Sequence, residues 1–208
     1  MRPGRRGQAL AELRRLDQAL YRAVADTRTP VLDAALSRLS RAANYSRLST
    51  GIALALALAG GRQGARAGAR GMLSVGVTAA VVNLAFKPLM RRQRPIRTRS
   101  FTTHRLRVRM PATRSFPSGH AAAAFAFATG AGRELPWVGP PLYVLAAAVG
   151  YSRVHAGVHY PLDVVVGGLG GIALGELTNA CIDRVATARL GAYQSQGVSV
   201  PARLSSSR

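Results

Sequence analysis

Long stretches without a charged residue are the feature that most constrains the fold of this chain. They stand out because the rest of the sequence is strongly basic. The formal net charge is +21 over 208 residues, yet 48% of the residues are hydrophobic and fall in blocks. Each charge-free block is shorter than the ~20 residues that span a bilayer unaided, but apolar flanks and snorkelling arginines extend it. We expect an all-α, multi-helix bundle with about five transmembrane helices. The blocks are residues 48–61, 71–86, 121–132, 135–152 and 164–175.

The composition of the blocks narrows the class of protein further. They are rich in alanine and glycine, which favours close helix packing in lipid. A soluble all-α protein with buried alanine-rich helices is the alternative. A basic chain with apolar blocks indicates a membrane containing anionic lipids rather than DNA, so membrane lipids are the expected partners and nucleic acid is not. Cys181 is the single cysteine, which excludes an internal disulfide framework.

Two amphipathic helices are predicted ahead of the first block. The first covers residues 8–25, and it either lies on a membrane surface through its basic face or packs against the rest of the protein. A second, short one follows Pro30. We expect one helical domain at 1–188, with an amphipathic region at 1–46, a membrane core at 48–182 and a disordered tail at 189–208. The apolar positions are Leu10, Leu13, Leu16, Leu20 and Val24, then Leu32, Leu36 and Leu39; the polar ones include Arg14, Arg15, Asp17 and Arg22.

Three short clusters between Lys87 and Asp163 carry the candidate chemistry. Lys87 is the only lysine in a chain that has 28 arginines, so the chain places its one compact ammonium here. Three cations, two imidazoles, a carboxylate and a Ser-Gly turn suit a phosphate-sized anion and a histidine that reacts with it. The clusters are Lys87 with Arg94-Pro95 after six residues, then Pro117-Ser118-Gly119-His120, then Ser152-Arg153 with His159 and Asp163.

The cations and the Ser-Gly turn are candidates for holding phosphate. Phosphoryl transfer needs the charge on the equatorial oxygens neutralised, and Lys87, Arg94 and Arg153 suit that task. Ser118 is a good N-cap for the helix predicted over the following alanine-rich run. Gly119 lets backbone N–H groups approach an anion at the helix start, where the dipole favours negative charge.

The spacing of His159 and Asp163 predicts that the Asp163 carboxylate pairs with the His159 imidazole. Pro161 between them suits the first turn of a helix, so Asp163 reaches back to the Nδ1–H of His159. That contact fixes the tautomer and leaves Nε2 free to attack phosphorus. A zinc site is the alternative, but the surrounding cations oppose a divalent ion. We therefore expect no metal and no cofactor.

The eleven specified residues resemble the signature of the type 2 phosphatidic acid phosphatase superfamily, which includes class A acid phosphatases and vanadium haloperoxidases. All eleven positions match, within the 77 residues from Lys87 to Asp163. The resemblance implies that His159 is the nucleophile, giving a phosphohistidine, and that Asp163 supports it. It implies that His120 protonates the leaving group and later activates water. The implied phosphate-binding residues are Lys87, Arg94, Ser118, Gly119 and Arg153.

The expected function is that of a metal-independent phosphoric ester hydrolase in the cell membrane, with several spans. Its substrate class is a lipid phosphate monoester or diphosphate, such as phosphatidic acid, phosphatidylglycerol phosphate or a polyprenyl diphosphate. A soluble-type acid phosphatase or a vanadate-dependent haloperoxidase would share the same pocket. A non-catalytic basic protein that binds membrane or nucleic acid explains the charge but not the two histidines and Asp163 in register.

Two features remain open at this level. The positive-inside rule places the active-site face in the cytoplasm, whereas bacterial relatives commonly work on the outer face, so the orientation is not assigned. His104 and His155 fall outside the pattern, and a structural role is expected for His155. Between Arg91 and Arg114 there are nine arginines and no acid. This segment is either a solvated loop or an electropositive funnel for a phosphorylated headgroup, and we favour the funnel.

Overall fold

The protein is a helical bundle in which seven helices account for most of the described chain. A computed structural model describes residues 5–27, 29–97 and 103–195. A π-helical turn at Val82–Phe86 leads into the last turn of α4, and a single helical turn lies at Thr103–Leu106. The helices are α1 Arg5–Asp26, α2 Pro30–Ala42, α3 Arg47–Ala59, α4 Gly61–Leu89, α5 Gly119–Glu134, α6 Gly139–His155 and α7 Pro161–Ser195.

Each of the five charge-free blocks lies in a different helix, α3 to α7, so the all-α prediction is confirmed. Two of these helices, α4 and Pro161–Ala192 of α7, are long and apolar enough to cross a membrane. Only 22% and 33% of their most apolar windows are buried, so neither is the enclosed core helix of a soluble protein. The predicted tail begins at residue 189, but α7 continues to Ser195, seven residues past 188. The remainder of the predicted tail, 196–208, lies outside the described residues.

The interior holds charged side chains beside an apolar core, while many large apolar side chains are exposed on the outside. Among the described residues, the largest fully buried side chains are Arg105, Arg153, His155 and His159. Large apolar side chains point outwards instead, as with Leu58 and Leu84, which are 78% and 79% exposed. Polar groups turned inwards and apolar groups turned outwards are the arrangement that a hydrocarbon solvent favours.

The second amphipathic helix buries its polar face. The helix predicted from Leu32, Leu36 and Leu39 is present as α2, and Leu32 is 50% exposed. The buried face of α2 is polar and consists of Asp33, Ser37 and Ser40. The physical reason is that buried cations from other segments need the polar face of α2.

Small residues let α7 approach α5 at the level where both helices begin. A Cβ on Gly167 would lie 2.5 Å from the carbonyl oxygen of Ser118, and one on Gly171 would lie 2.2 Å from that of Ala122. These distances are far shorter than a carbon–oxygen contact allows. Glycine at these two positions therefore sets the spacing of the helices that carry the second motif and the last residue of the third.

Adding a methyl group at this contact is expected to destabilise the protein. Gly171→Ala should lower the free energy of unfolding by about 1–3 kcal/mol, because the new Cβ forces the backbones apart. Gly170→Ala is the matched control, since no atom lies within 4 Å of its Cβ position and alanine favours helix. Thermal denaturation in detergent compares the two variants. Equal melting temperatures would contradict the close packing of α5 and α7.

Candidate active site

The three sequence clusters meet where four helix ends converge. Lys87 lies at the end of α4, His120 at the start of α5, Arg153 near the end of α6 and Asp163 in the first turn of α7. His159 lies in the short loop between α6 and α7. The amide of Ser118 donates to the carbonyl of Asp163 at 2.9 Å, which ties the starts of α5 and α7 together.

The geometry around His159 defines its tautomer. The ring is 2% exposed, and Nε2 lies 3.2 Å from Nη1 of Arg94. A guanidinium can only donate, so Nε2 must carry the lone pair and the proton must be on Nδ1. Nδ1 lies 3.5 Å from Oδ2 of Asp163, an ion-pair distance, and makes no hydrogen bond among the described residues. The nitrogen that carries the lone pair is thus the one that faces the cation.

Burial also keeps His159 neutral. Loss of hydration lowers the pKa of His159 to about 4, and the opposing effect of Asp163 recovers only part of that shift. At neutral pH the imidazole is therefore uncharged and nucleophilic. When a bond forms at Nε2 the ring becomes a cation, and Asp163 then lies where it stabilises that charge.

The Asp163 carboxylate is held by residues that the motifs do not include. Oδ1 accepts from Nη1 of Arg92 at 2.9 Å. Oδ2 accepts from the amide of Tyr160 at 2.9 Å and from the hydroxyl of Ser115. Sequence reasoning missed Arg92 and Ser115, because neither has a regular spacing from Asp163. The only signal was that both lie in the segments flanking the motifs.

His120 at the start of α5 and Lys87 at the end of α4 complete the set of predicted site residues. Nε2 of His120 is 2.9 Å from Oδ1 of Asn44. A Cβ on Gly119 would lie 3.7 Å from Nζ of Lys87, so the Ser-Gly turn and the lysine are adjacent.

Two of the predicted phosphate ligands are rigidly anchored. Arg94 donates from Nε to the carbonyl of Thr113 at 2.8 Å and from Nη1 to that of Val158 at 2.6 Å, and burial lowers its pKa. Arg153 is 1% exposed and donates from Nη1 to the hydroxyl of Ser40 at 2.7 Å. Its Nε has no hydrogen-bond partner among the described residues, so a donor remains for an anion.

Ser118 is engaged in structural bonds. Its side chain is fully buried and its Oγ accepts from the amide of Ala121 at 3.5 Å as the N-cap of α5. Its own amide donates to Asp163, as described above. Within this turn, Gly119 is the residue that borders Lys87. Direct contact between Ser118 and phosphate remains a prediction.

The arginines between Arg91 and Arg114 divide into two groups. Arg92, Arg94, Arg97 and Arg105 turn inwards to carboxylates or carbonyls, as with Arg97, which donates to Ala156 at 3.1 Å. Another four, Arg91, Arg107, Arg109 and Arg114, are exposed. A role of these exposed arginines as a funnel for a headgroup stays a prediction. Arg99 lies outside the described residues.

The remaining histidines are not placed in the pocket by any contact. His155 is buried and its Nε2 lies 2.8 Å from Oδ1 of Asp33, which also accepts from Nε of Arg105 at 2.9 Å. This network joins α2, α6 and the arginine-rich segment, in agreement with the structural role expected for His155. The side chain of His104 lies outside the described residues.

An apolar cavity of about 710 Å³ lies beneath α1, and it is separate from the catalytic groups. Gly168 and Ile172 of α7 line it. They follow Asp163 by five and nine residues and so occupy the opposite face of a helix that turns once every 3.6 residues. The cavity faces the apolar exterior, whereas the phosphate pocket faces the helix ends.

Metal independence is tested with a chelator. Within the described ranges, no three His, Cys, Asp or Glu side chains form a candidate metal site. The cations Lys87, Arg94 and Arg153 are placed to supply the positive charge, so turnover should be unchanged in excess EDTA. Activity measured before and after chelation decides this. Loss in EDTA that magnesium restores would contradict the assignment.

Comparison with known proteins identifies a relative of this chain. Decaprenylphosphoryl-5-phosphoribose phosphatase of Mycobacterium tuberculosis is 38% identical over 112 residues, which cover 53% of this chain and 57% of that protein. The chain thus spans little more than half the length of that curated relative.

Two crystal structures share the fold. Aquifex aeolicus LpxE matches with a TM-score of 0.63 and 28% identity, over 79% of this chain and 95% of that one. The transmembrane PAP2 type phosphatidylglycerolphosphate phosphatase of Bacillus subtilis also has a TM-score of 0.63, at 24% identity, over 84% and 88% of the two chains. The profile of the PAP2 superfamily matches residues 69–186, which include every motif and more than half of the sequence. The chain therefore belongs to the PAP2 superfamily.

Proposed function

We propose that the protein is a membrane phosphatase that hydrolyses a lipid phosphate monoester or diphosphate through a phosphohistidine. The observation that carries the proposal is the neutral, buried His159 beside three cations and His120, in a bundle whose outer surface is apolar. Names of relatives add to this, since the matched Mycobacterium tuberculosis protein acts on a decaprenylphosphoryl compound. The substrate class of this chain is argued from its own residues.

The first chemical step transfers the phosphoryl group to the protein. Arg94, Arg153 and Lys87 hold the phosphate oxygens, and the lone pair on Nε2 of His159 forms the bond to phosphorus. The bond from phosphorus to the leaving oxygen breaks, and that oxygen takes a proton from His120, which carries it as an imidazolium cation stabilised by the bound phosphate anion. Asp163 stabilises the positive charge that develops on the ring of His159.

The second step releases phosphate. A water molecule attacks phosphorus and gives its proton to His120, which is now a base. The bond from phosphorus to Nε2 breaks, and both histidines return to their starting states. The cycle makes and breaks only bonds to phosphorus and transfers two protons. Water is therefore the only reactant besides the phosphate substrate.

The membrane setting follows from the distribution of apolar side chains. We propose that α3 to α7 all cross the bilayer, giving about five spans, with the phosphate pocket at the boundary with water. α1 lies along that boundary: Tyr21 and Ala25 are buried against the bundle, while Leu13 and Leu16 are 43% and 57% exposed. A lipid headgroup reaches the pocket at this boundary while its hydrocarbon chain stays in the apolar phase.

A competition assay in detergent micelles tests the substrate class. Phosphatidic acid and a polyprenyl diphosphate should have higher kcat/KM values than glucose 6-phosphate and AMP, because only the lipids keep an apolar chain out of water. The exposed arginines attract any anion and add nothing selective for sugars or bases. Equal or higher values for the soluble pair would indicate an acid phosphatase of the soluble type.

A further inference from the structure

The N-terminal segment contacts the catalytic groups through buried polar side chains. We define the N-terminal cap as the described residues of 5–46, which comprise α1, α2 and the turn at Asn44–Ser46. The family match begins only at residue 69, and none of the motif residues lies in the cap. Three cap side chains nevertheless bear on three different groups of the site. Ser40 contacts Arg153 and Asn44 contacts His120 directly. Asp17 acts on Asp163 through Arg92.

Asp17 of α1 supports the nucleophile's carboxylate. It is 3% exposed, although it lies on a helix whose leucines are largely exposed. Its Oδ1 accepts from the amide of Leu162 at 2.8 Å, which caps the start of α7. Its Oδ2 pairs with Nη2 of Arg92, and Nη1 of the same guanidinium donates to Asp163 at 2.9 Å.

The arginine between the two carboxylates has little freedom to move. The guanidinium carbon of Arg92 lies 4.3 Å from the centre of the Tyr160 ring, and that ring packs edge-on against Tyr21 of α1. Asp17 thus fixes Arg92 from one side and the first turn of α7 from the other. Both contacts bear on the position of Asp163 relative to Nδ1 of His159.

Asn44 holds the other catalytic histidine. Its Oδ1 lies 2.9 Å from Nε2 of His120, and as the acceptor it places a proton on that nitrogen. The next two residues, Tyr45 and Ser46, have φ values of 54° and 56°, in the left-handed region that favours glycine. Residues other than glycine keep this conformation only where their surroundings fix it, which is common at functional sites.

Ser40 completes the set through Arg153. Its hydroxyl accepts from Nη1 at 2.7 Å and its carbonyl accepts from the same nitrogen at 3.2 Å. The hydroxyl and the guanidinium are both buried, so the arrangement is not a surface contact. The contact directs Arg153 while its Nε remains without a partner among the described residues.

We propose that the N-terminal cap is an integral part of the active site, with Asp17 and Asn44 as positioning residues for Asp163 and His120, and Ser40 for Arg153. This inference rests on the proposed function. Asp17 acts on the nucleophile, which every substrate uses. Asn44 acts on the general acid, which only substrates with a poor leaving group need. The two residues therefore have different kinetic signatures.

Two substrates in detergent micelles separate these signatures in the full-length protein. Asp17→Asn should lower kcat on p-nitrophenyl phosphate and on an alkyl phosphate by the same factor, on the order of 10²-fold. The reason is that Asp163 is then misplaced relative to His159. Asn44→Ala should lower kcat on the alkyl phosphate at least about tenfold more than on p-nitrophenyl phosphate. Asn44→Asp keeps the acceptor oxygen and should retain the wild-type ratio. Ser40→Ala should raise KM for both substrates.

Matched controls distinguish positioning from general destabilisation. Glu12→Gln makes the same kind of change as Asp17→Asn at an exposed position of α1 and should leave both rates unchanged. If Asp17→Asn fails to fold, Arg92→Gln tests the same contact from a side chain that is 25% exposed. The proposal would be overturned if Asn44→Ala lost activity equally on both substrates, or if the losses in the Asp17 and Asn44 variants only tracked a fall in melting temperature. Cap variants with the same rates as Glu12→Gln, in a protein whose wild type is active, would also overturn it. A wild type without turnover would instead contradict the proposed function.

Discussion

Replacing His159 with alanine is expected to abolish turnover of every phosphate substrate. The loss should be on the order of 10⁴-fold or more, because His159 is the described residue to which the proposed mechanism assigns the covalent intermediate. Rates on p-nitrophenyl phosphate and on phosphatidic acid, measured at matched protein concentration, give the comparison. Vanadate binding should disappear in the same variant, since Nε2 of His159 would be the atom that bonds vanadium.

His155→Ala is the control for losing a buried imidazole. His155 pairs with Asp33 and lies outside the proposed chemistry, so its loss should lower stability and leave kcat of the folded protein close to wild type. Appreciable turnover by His159→Ala on either substrate would show that another residue is the nucleophile. Tight vanadate binding by that variant would lead to the same conclusion.

Replacing His120 with alanine is expected to affect substrates unequally. An alkyl phosphate loses its proton donor and should slow by about 10²–10⁴-fold. p-Nitrophenyl phosphate has a leaving group that needs little protonation, so its first step should slow much less. Steady-state rates on the two substrates, combined with a rapid-mixing measurement of the first turnover, separate the two steps.

The same variant should accumulate the covalent intermediate. Dephosphorylation needs a base to activate water, and His120 is the group placed to act as one. A burst of p-nitrophenol followed by slow turnover would therefore be seen in His120→Ala. Equal slowing on both substrates, without a burst, would contradict the acid and base role of His120.

The order of the motifs allowed most of the pocket to be predicted from sequence. Charge-free blocks locate α3 to α7 because a helix in lipid excludes charge along its exposed length. The offset of four between His159 and Asp163 places both on one side of a helix start. Spacing of this kind is a local feature of the sequence, so it can be recognised without knowing the fold.

Contacts across the bundle could not be predicted in this way. Asp17 lies 75 residues from Arg92 and 145 from Leu162, and no periodicity links them. On a helical wheel Asp17 reads as part of the solvated polar face, yet it is buried. The leucine spacing of α2 likewise predicts an amphipathic helix but does not determine which of its two faces packs against the protein.

The central claim is that His159 becomes phosphorylated during turnover. Wild-type protein and His120→Ala can be mixed with p-nitrophenyl phosphate, quenched within milliseconds in alkali, and mapped by mass spectrometry for phosphohistidine. The predicted result is phosphate on His159 alone, at low occupancy in wild type and high occupancy in His120→Ala, with none on His155. Phosphate on another residue, or none on His159 in a variant that shows a burst, would contradict the mechanism.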